Sequence, residues 1–240
     1  MLRIRINGSS MLKKRTLLIN AAVFIALLFH ISGLIGILFT DHKDWFIRNT
    51  VFNLLLMAVL LILTQREKNL QFFLFFFITC LAGICVEIIG TNSAFLFGNY
   101  RYGDVLGFKV FGVPLIIGIN WFIVIYCTAV VTQFYEDRML RRLEAREITI
   151  SRRMQLVSFV TDAALLTVFF DWLMEPVAVK LGYWHWQDDQ VPVYNYICWL
   201  VISALLLWLF RRLAFNRHNI FAVHLLVIQL LFFLVLRTFL

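Results

Sequence analysis

Apolar residues fall into seven blocks along the chain, at about 16–39, 48–64, 70–89, 112–134, 156–179, 193–211 and 219–238. Several approach the ~20 residues a helix needs to cross the hydrocarbon core of a bilayer. Charged and turn-forming residues separate the blocks, and the connections are short except at 90–111 and 135–155. The pattern predicts an all-α, polytopic transmembrane bundle of about seven spans, forming one integral membrane domain over residues 1–240. The first block starts at Thr16 behind Lys13, Lys14 and Arg15. It is longer than a signal-peptide core and lacks a small-residue cleavage site, so it is expected to stay as a helix.

Composition agrees with the pattern. Apolar residues make up 62% of the chain, with 25 Phe, and mean hydropathy is +0.84. A soluble domain of this size could not cover so much apolar surface with polar groups. The formal charge of +8 could point to nucleic acid, but the basic residues sit between the apolar blocks. There they orient a chain in a membrane. With a cytoplasmic N-terminus, 16 of the 22 basic residues fall on the inner side, including Arg3, Arg5, Arg66, the arginines of 135–155, Arg211 and Arg217. The C-terminus is then outside, and in a bacterium the membrane would be the inner one. Segment 135–155 mixes arginines with Glu136, Asp137, Glu144 and Glu147. It reads as an interfacial helix with salt-bridged turns. Cys80, Cys85, Cys127 and Cys198 lie in apolar segments without CxxC spacing, as small packed hydrophobes do.

Acidic residues inside spans carry a large desolvation penalty and mark candidate sites. Glu87, Asp162, Asp171 and Glu175 qualify. Asp171 and Glu175 are four apart, so a helix puts both carboxyls on one face. Like charges that close in apolar surroundings favour one of the pair holding a proton, which is what a general acid requires. An ion pair with Lys180 is the plainer role for Asp171, and one with Arg152 or Arg153 the plainer role for Asp162. The orientation puts Glu87, the 90–111 loop, Glu175 and the 180–192 loop on one membrane face. Asn99, Tyr100, Arg101, Tyr102, Gly103 and Asp104 combine turn formers with aromatics and are expected to form a lid over that site. Trp184 and Trp186, on either side of His185, are interfacial anchors or pocket walls.

A faint internal repeat links these parts. One half has Glu87, Gly98-Asn99-Tyr100, Val113-Pro114 and Asn120-Trp121. The other has Glu175, Gly182-Tyr183-Trp184, Val191-Pro192, Asn195 and Trp199. Both halves run the same way, so the relation would be a rotation about the membrane normal. No HExxH, P-loop, GxGxxG or GxSxG pattern occurs, which argues against metalloprotease, nucleotide-driven and serine-hydrolase chemistry.

Two runs carry a family likeness: VEIIGTNSAFLFGNYRYGDVLGFKVFGVPLIIGINW at 86–121, and FDWLMEPVAVKLGYWHW with the VPVYNYICW that follows, from 170 to 199. Over about residues 70–210 the chain resembles carotenoid biosynthesis membrane proteins of the CruF-like carotenoid hydratase type. The resemblance implies hydration of the terminal double bond of an acyclic, lycopene-like carotenoid drawn from the bilayer. No cofactor or metal is expected, and other carotenoid enzymes are potential partners. Protonating a trisubstituted alkene needs a strong acid, and the tertiary cation that follows must meet water. The implied roles are Glu87 or Glu175 as acid and Asp104 or Asp171 as base. Asn99, Tyr100, Tyr102, Trp121, Trp184, Trp186 and Asn195 would surround the substrate. The rivals are a membrane lycopene cyclase, which forms the same cation and captures it internally, and a transport or lipid-binding protein.

Overall fold

The computed structural model describes residues 2–187 and 190–240. The side chains of residues 2–12, Arg3 and Arg5 among them, lie outside the described residues, as do positions 188–189 of the second loop. The chain is an all-α membrane bundle. Its helices are α1 (Leu2–Phe39), α2 (Lys43–Arg48), α3 (Thr50–Thr64), α4 (Leu70–Ser93), α5 (Ile116–Glu144), α6 (Arg152–Lys180), α7 (Val193–Arg212) and α8 (Ile220–Phe239). Six are long and apolar enough to cross a membrane. The block at 48–64 is divided between α2 and the 15-residue α3, which is about 22 Å long at 1.5 Å per residue. It still runs the height of the bundle. Thr50 at its start meets Tyr183 Oη at 2.7 Å in one loop layer. Near its end, Leu61 O accepts from Asn219 Nδ2 at 3.1 Å in the other. Seven helices therefore run between the two layers.

Helix starts follow local chemistry. Asn69 caps α4 by accepting from Phe72 N at 3.0 Å, and Ser151 caps α6 by accepting from Met154 N at 3.2 Å. These bonds satisfy N–H groups that a helix start leaves without partners. The centre is α5, buried without a break from Trp121 to Val130. A helix apolar on all sides belongs inside others, and α3, α4, α6, α7 and α8 all pack on it. The outer helices turn Phe24, Phe52, Phe77, Leu81 and Leu205 outward, as lipid contact requires. A Cβ on Gly83 of α4 would lie 2.5 Å from Trp121 Cγ. Glycine there lets the indole press against the α4 backbone.

Two boundaries differ from the sequence reading. The separate interfacial helix expected at 135–155 is absent among the described residues: α5 continues to Glu144, and a turn leads directly to α6. Two of the acidic residues there pair across the bundle instead. Glu136 binds Arg211 of α7, and Asp137 Oδ2 meets His218 Nε2 at 2.7 Å. Tertiary partners stiffen what the local charge pattern marks as a surface turn. Asp162 takes no arginine partner either and accepts from Ser158 Oγ at 3.2 Å.

Short strands cover the end of the bundle opposite that turn. Strand β1 (Tyr100–Tyr102) pairs antiparallel with β4 (Trp184–Trp186), and β2 (Lys109–Val110) with β3 (Val113–Pro114). The two loops related by the repeat thus join in one ladder, as a two-fold rotation about the bundle axis brings equivalent segments together antiparallel.

Pro176 sits inside α6, and having no N–H it leaves the carbonyl of Trp172, four residues earlier, without a helical partner. Arg237 of α8 supplies one. Its Nη1 donates to Trp172 O at 2.7 Å, and its guanidinium lies 3.9 Å from the centre of the Trp172 ring. Arg237→Leu should destabilise the fold by about 1–2 kcal/mol. In Pro176→Ala, which restores the α-helical donor, the same change should have a smaller effect. A double-mutant cycle on unfolding in detergent checks this, and full additivity would refute it.

Candidate functional site

Glu87 near the end of α4 and Asp171 and Glu175 near the end of α6 converge beneath the β1–β4 ladder. All three are buried, at 5%, 1% and 3% exposure. They line one cavity of about 20 Å³ with Phe97, Tyr100, Tyr102, Trp121, Trp184, Trp186, Asn195 and Trp199. A buried charge needs compensation, yet among the described residues no Lys, Arg or His lines this cavity. Neutral donors take that part.

The ladder supplies most of them. Side chains alternate along a strand, so Tyr100 and Tyr102 of β1 and Trp184 and Trp186 of β4 point inward while Arg101 and His185 point out. Tyr100 Oη and Tyr102 Oη both donate to Glu87 Oε2, the second at 2.7 Å. Trp121 Nε1 donates to Glu87 Oε1 at 3.0 Å. Trp184 Nε1 and Trp186 Nε1 donate to Glu175 Oε2 at 2.9 and 3.0 Å. Asn195 Nδ2 donates to Asp171 Oδ2 at 2.8 Å, so Asp171 pairs with an amide of α7 rather than with the exposed Lys180. Burial first, and the charge of Glu87 next, push both phenols well above the ordinary tyrosine range. Both stay protonated and donate.

The three carboxylates differ in what remains free. Both oxygens of Glu87 accept hydrogen bonds, whereas Asp171 Oδ1 is buried without a partner. Beside them Trp121 and Trp199 stack at 4.0 Å with 4° between their planes. Gly103 holds the two loops together. Its N–H donates to Tyr183 O at 2.9 Å, and a Cβ there would collide with Gly182 O.

The structure thus gathers Glu87, Asp171, Glu175, Tyr100, Tyr102, Trp121, Trp184, Trp186 and Asn195 at one site. It leaves two of the expected residues outside. Asp104 is exposed and paired with Lys109 Nζ at 2.7 Å, which holds its carboxyl below the ordinary range. Asn99 is on the outer surface of the lid, where its side chain donates to Gln187 and its carbonyl accepts from Gln187 N at 3.0 Å. Strand alternation explains this: with Tyr100 and Tyr102 inward, Asn99 must face out. Phe97, Ile117, Asn120, Met174 and Trp199 complete the cavity wall. Of these, Asn120 and Trp199 carried a signal, as members of the repeat, and Phe97, Ile117 and Met174 none.

The family model described as carotenoid biosynthesis protein matches residues 47–240. The chain belongs to that family. The match contains both loops and the three carboxylates of the cavity, and it reaches further than the two motifs, through α8. Helix α1 lies before it. No curated protein and no solved structure matches the chain.

If neutral donors stabilise the carboxylates, removing one while leaving an aromatic ring in its place should be felt. Tyr102→Phe and Trp186→Phe should each destabilise this carotenoid biosynthesis protein by about 1–3 kcal/mol. Asp104→Asn should leave Tm unchanged. Thermal unfolding in one detergent checks the three, and equal Tm values throughout would refute the assignment.

Proposed function

We propose that the protein is a hydratase that adds water to the terminal double bond of an acyclic carotenoid ψ-end, giving a tertiary 1-hydroxy end group. The observation that supports it most is the unequal solvation of the three carboxylates. Glu87 is saturated by donors, which suits an ion, while the Asp171–Glu175 pair, one helical turn apart, keeps Asp171 Oδ1 free at the cavity. Like-charge repulsion at such a pair favours a shared proton. That proton passes to the less substituted alkene carbon. The π electrons form the new C–H bond and leave a tertiary cation. Glu87 and the faces of Trp121 and Trp199 stabilise it electrostatically. Water then forms the C–O bond, and its extra proton returns to the pair. Water and alkene are consumed, and the acid is regenerated.

A cavity of about 20 Å³ suits this chemistry, since a water needs roughly 10–15 Å³ on the same measure. The distribution of basic residues supports a bacterial inner membrane with the carboxylate end at the periplasmic face. Acyclic carotenoid then reaches the site from the bilayer.

Expression in a lycopene-producing bacterium, with chromatography and mass spectrometry of the pigments, tests the reading. A gain of one water with nearly unchanged polyene absorption is expected. Unchanged mass with altered retention would mean cyclisation instead. Glu87→Gln, Asp171→Asn and Glu175→Gln should each lower product by about 10²-fold or more, with the protein still accumulating in membranes. Near-normal product from all three would refute the acid–base scheme.

A further inference from the structure

Behind the carboxylates lies a second cavity of about 60 Å³, enclosed by α1, α3, α5, α6 and α8. It shares Ile117, Asn120, Met174 and Trp184 with the carboxylate cavity. On its far side it shares Thr50, Asn53 and Phe232 with an opening of about 350 Å³. The exposed Phe29 and Phe52 stand at that opening. A route of shared walls therefore runs from the bundle surface to the carboxylates.

The middle cavity is rich in acceptors. Asn53 Oδ1 and Gln229 Oε1 are both buried without a donor, and Gln229 is 5% exposed. His30, at 4% exposure, places Nδ1 2.7 Å from Ala26 O. A carbonyl only accepts, so in the neutral ring Nδ1 carries the proton and Nε2 is left as a third acceptor. A bundle with apolar surroundings does not leave buried acceptors unpaired without a reason. Two such oxygens, with the acceptor nitrogen of His30, around one space select a ligand that donates hydrogen bonds, and the volume exceeds the ~10–15 Å³ that one water requires.

We propose that this cavity is a water site. His30, Asn53 and Gln229 hold water by its O–H groups, and Asn120, which faces both cavities, passes it to the carboxylates. Its delivery role rests on the hydratase reading: the water lone pair forms the C–O bond at the tertiary cation, and one proton goes to the Asp171–Glu175 pair. Its occupancy does not rest on that reading. His30 belongs to α1, outside the residues the family model matches.

Two measurements test the site separately. Electron cryo-microscopy in lipid nanodiscs, at a resolution that shows ordered water, should reveal density about 2.6–3.2 Å from both Asn53 Oδ1 and Gln229 Oε1. An empty cavity overturns the proposal, whatever reaction the protein performs. The double variant Asn53→Leu/Gln229→Met should still fold, because replacing unpaired acceptors by apolar groups of similar shape is nearly neutral. In lycopene-producing cells its hydroxylated fraction of all altered carotenoid should fall about fivefold or more, the factor an ordinary hydrogen bond carries. Isomerised or cyclised carotenoid should appear in its place. An unchanged product ratio, with normal accumulation in membranes, overturns the delivery role. If the wild type yields no hydroxylated carotenoid, the hydratase reading fails, and the density alone decides the water site.

Discussion

Three carboxyl groups share one buried cavity with no basic side chain beside them among the described residues, and much of the site end of the bundle follows from that arrangement. A lysine or arginine would neutralise the charge, but it would also form ion pairs that hold the carboxyls inert. Phenol, indole and amide donors stabilise an anion without fixing its proton. They must come from outside the helices that carry the acids. Two loops supply four of the donors by pairing as strands, because alternation along a strand aims every second side chain at the cavity. The ladder is a lid and a solvation shell at once.

The opposite end of the bundle handles charge differently. There Glu136 meets Arg211, Asp137 meets His218, and Gln133 links the two by donating to Asp137 at 2.8 Å and accepting from Arg211 at 2.9 Å. Gln65 adds a second tie, accepting from Tyr126 at 2.6 Å and donating to Asn216 O at 2.6 Å. These groups anchor α3, α5, α7 and the start of α8 to one another. Charged pairs lock one end, and neutral donors hold the carboxyl groups at the other. Between them α5 forms a continuous buried core, so both ends are referred to the same rigid element.

Membership of the carotenoid biosynthesis family and the membrane-spanning helices together set a carotenoid and lipid context. The carboxylate cavity of about 20 Å³ adjoins a chamber of about 60 Å³. Acceptors in that chamber and stacked indoles beside the carboxylates give the two spaces different chemistry. One favours a ligand that donates hydrogen bonds, the other a developing cation.

By itself the sequence determined the helical class and the positions of most spans, and it singled out Glu87, Asp171 and Glu175, which share one buried cavity. Long apolar runs have one low-energy form in a bilayer, and an acid within such a run stands out whatever it contacts. It also pointed to Tyr100, Tyr102, Trp184 and Trp186 as a group. Only the tertiary structure decided which residues meet. Asp104 and Asn99 occupy the same loop as the two tyrosines, but strand register turns Asn99 outward and Lys109 holds Asp104 at the surface. The stack of Trp121 on Trp199 and the partners of Glu136 and Asp137 join residues far apart in the chain. The polar chamber between α1, α3 and α8 is equally invisible locally, since His30, Asn53 and Gln229 come from three separate apolar runs. Periodicity and composition describe a segment against its solvent. Contacts between segments depend on register and packing, which are fixed only when the whole bundle assembles.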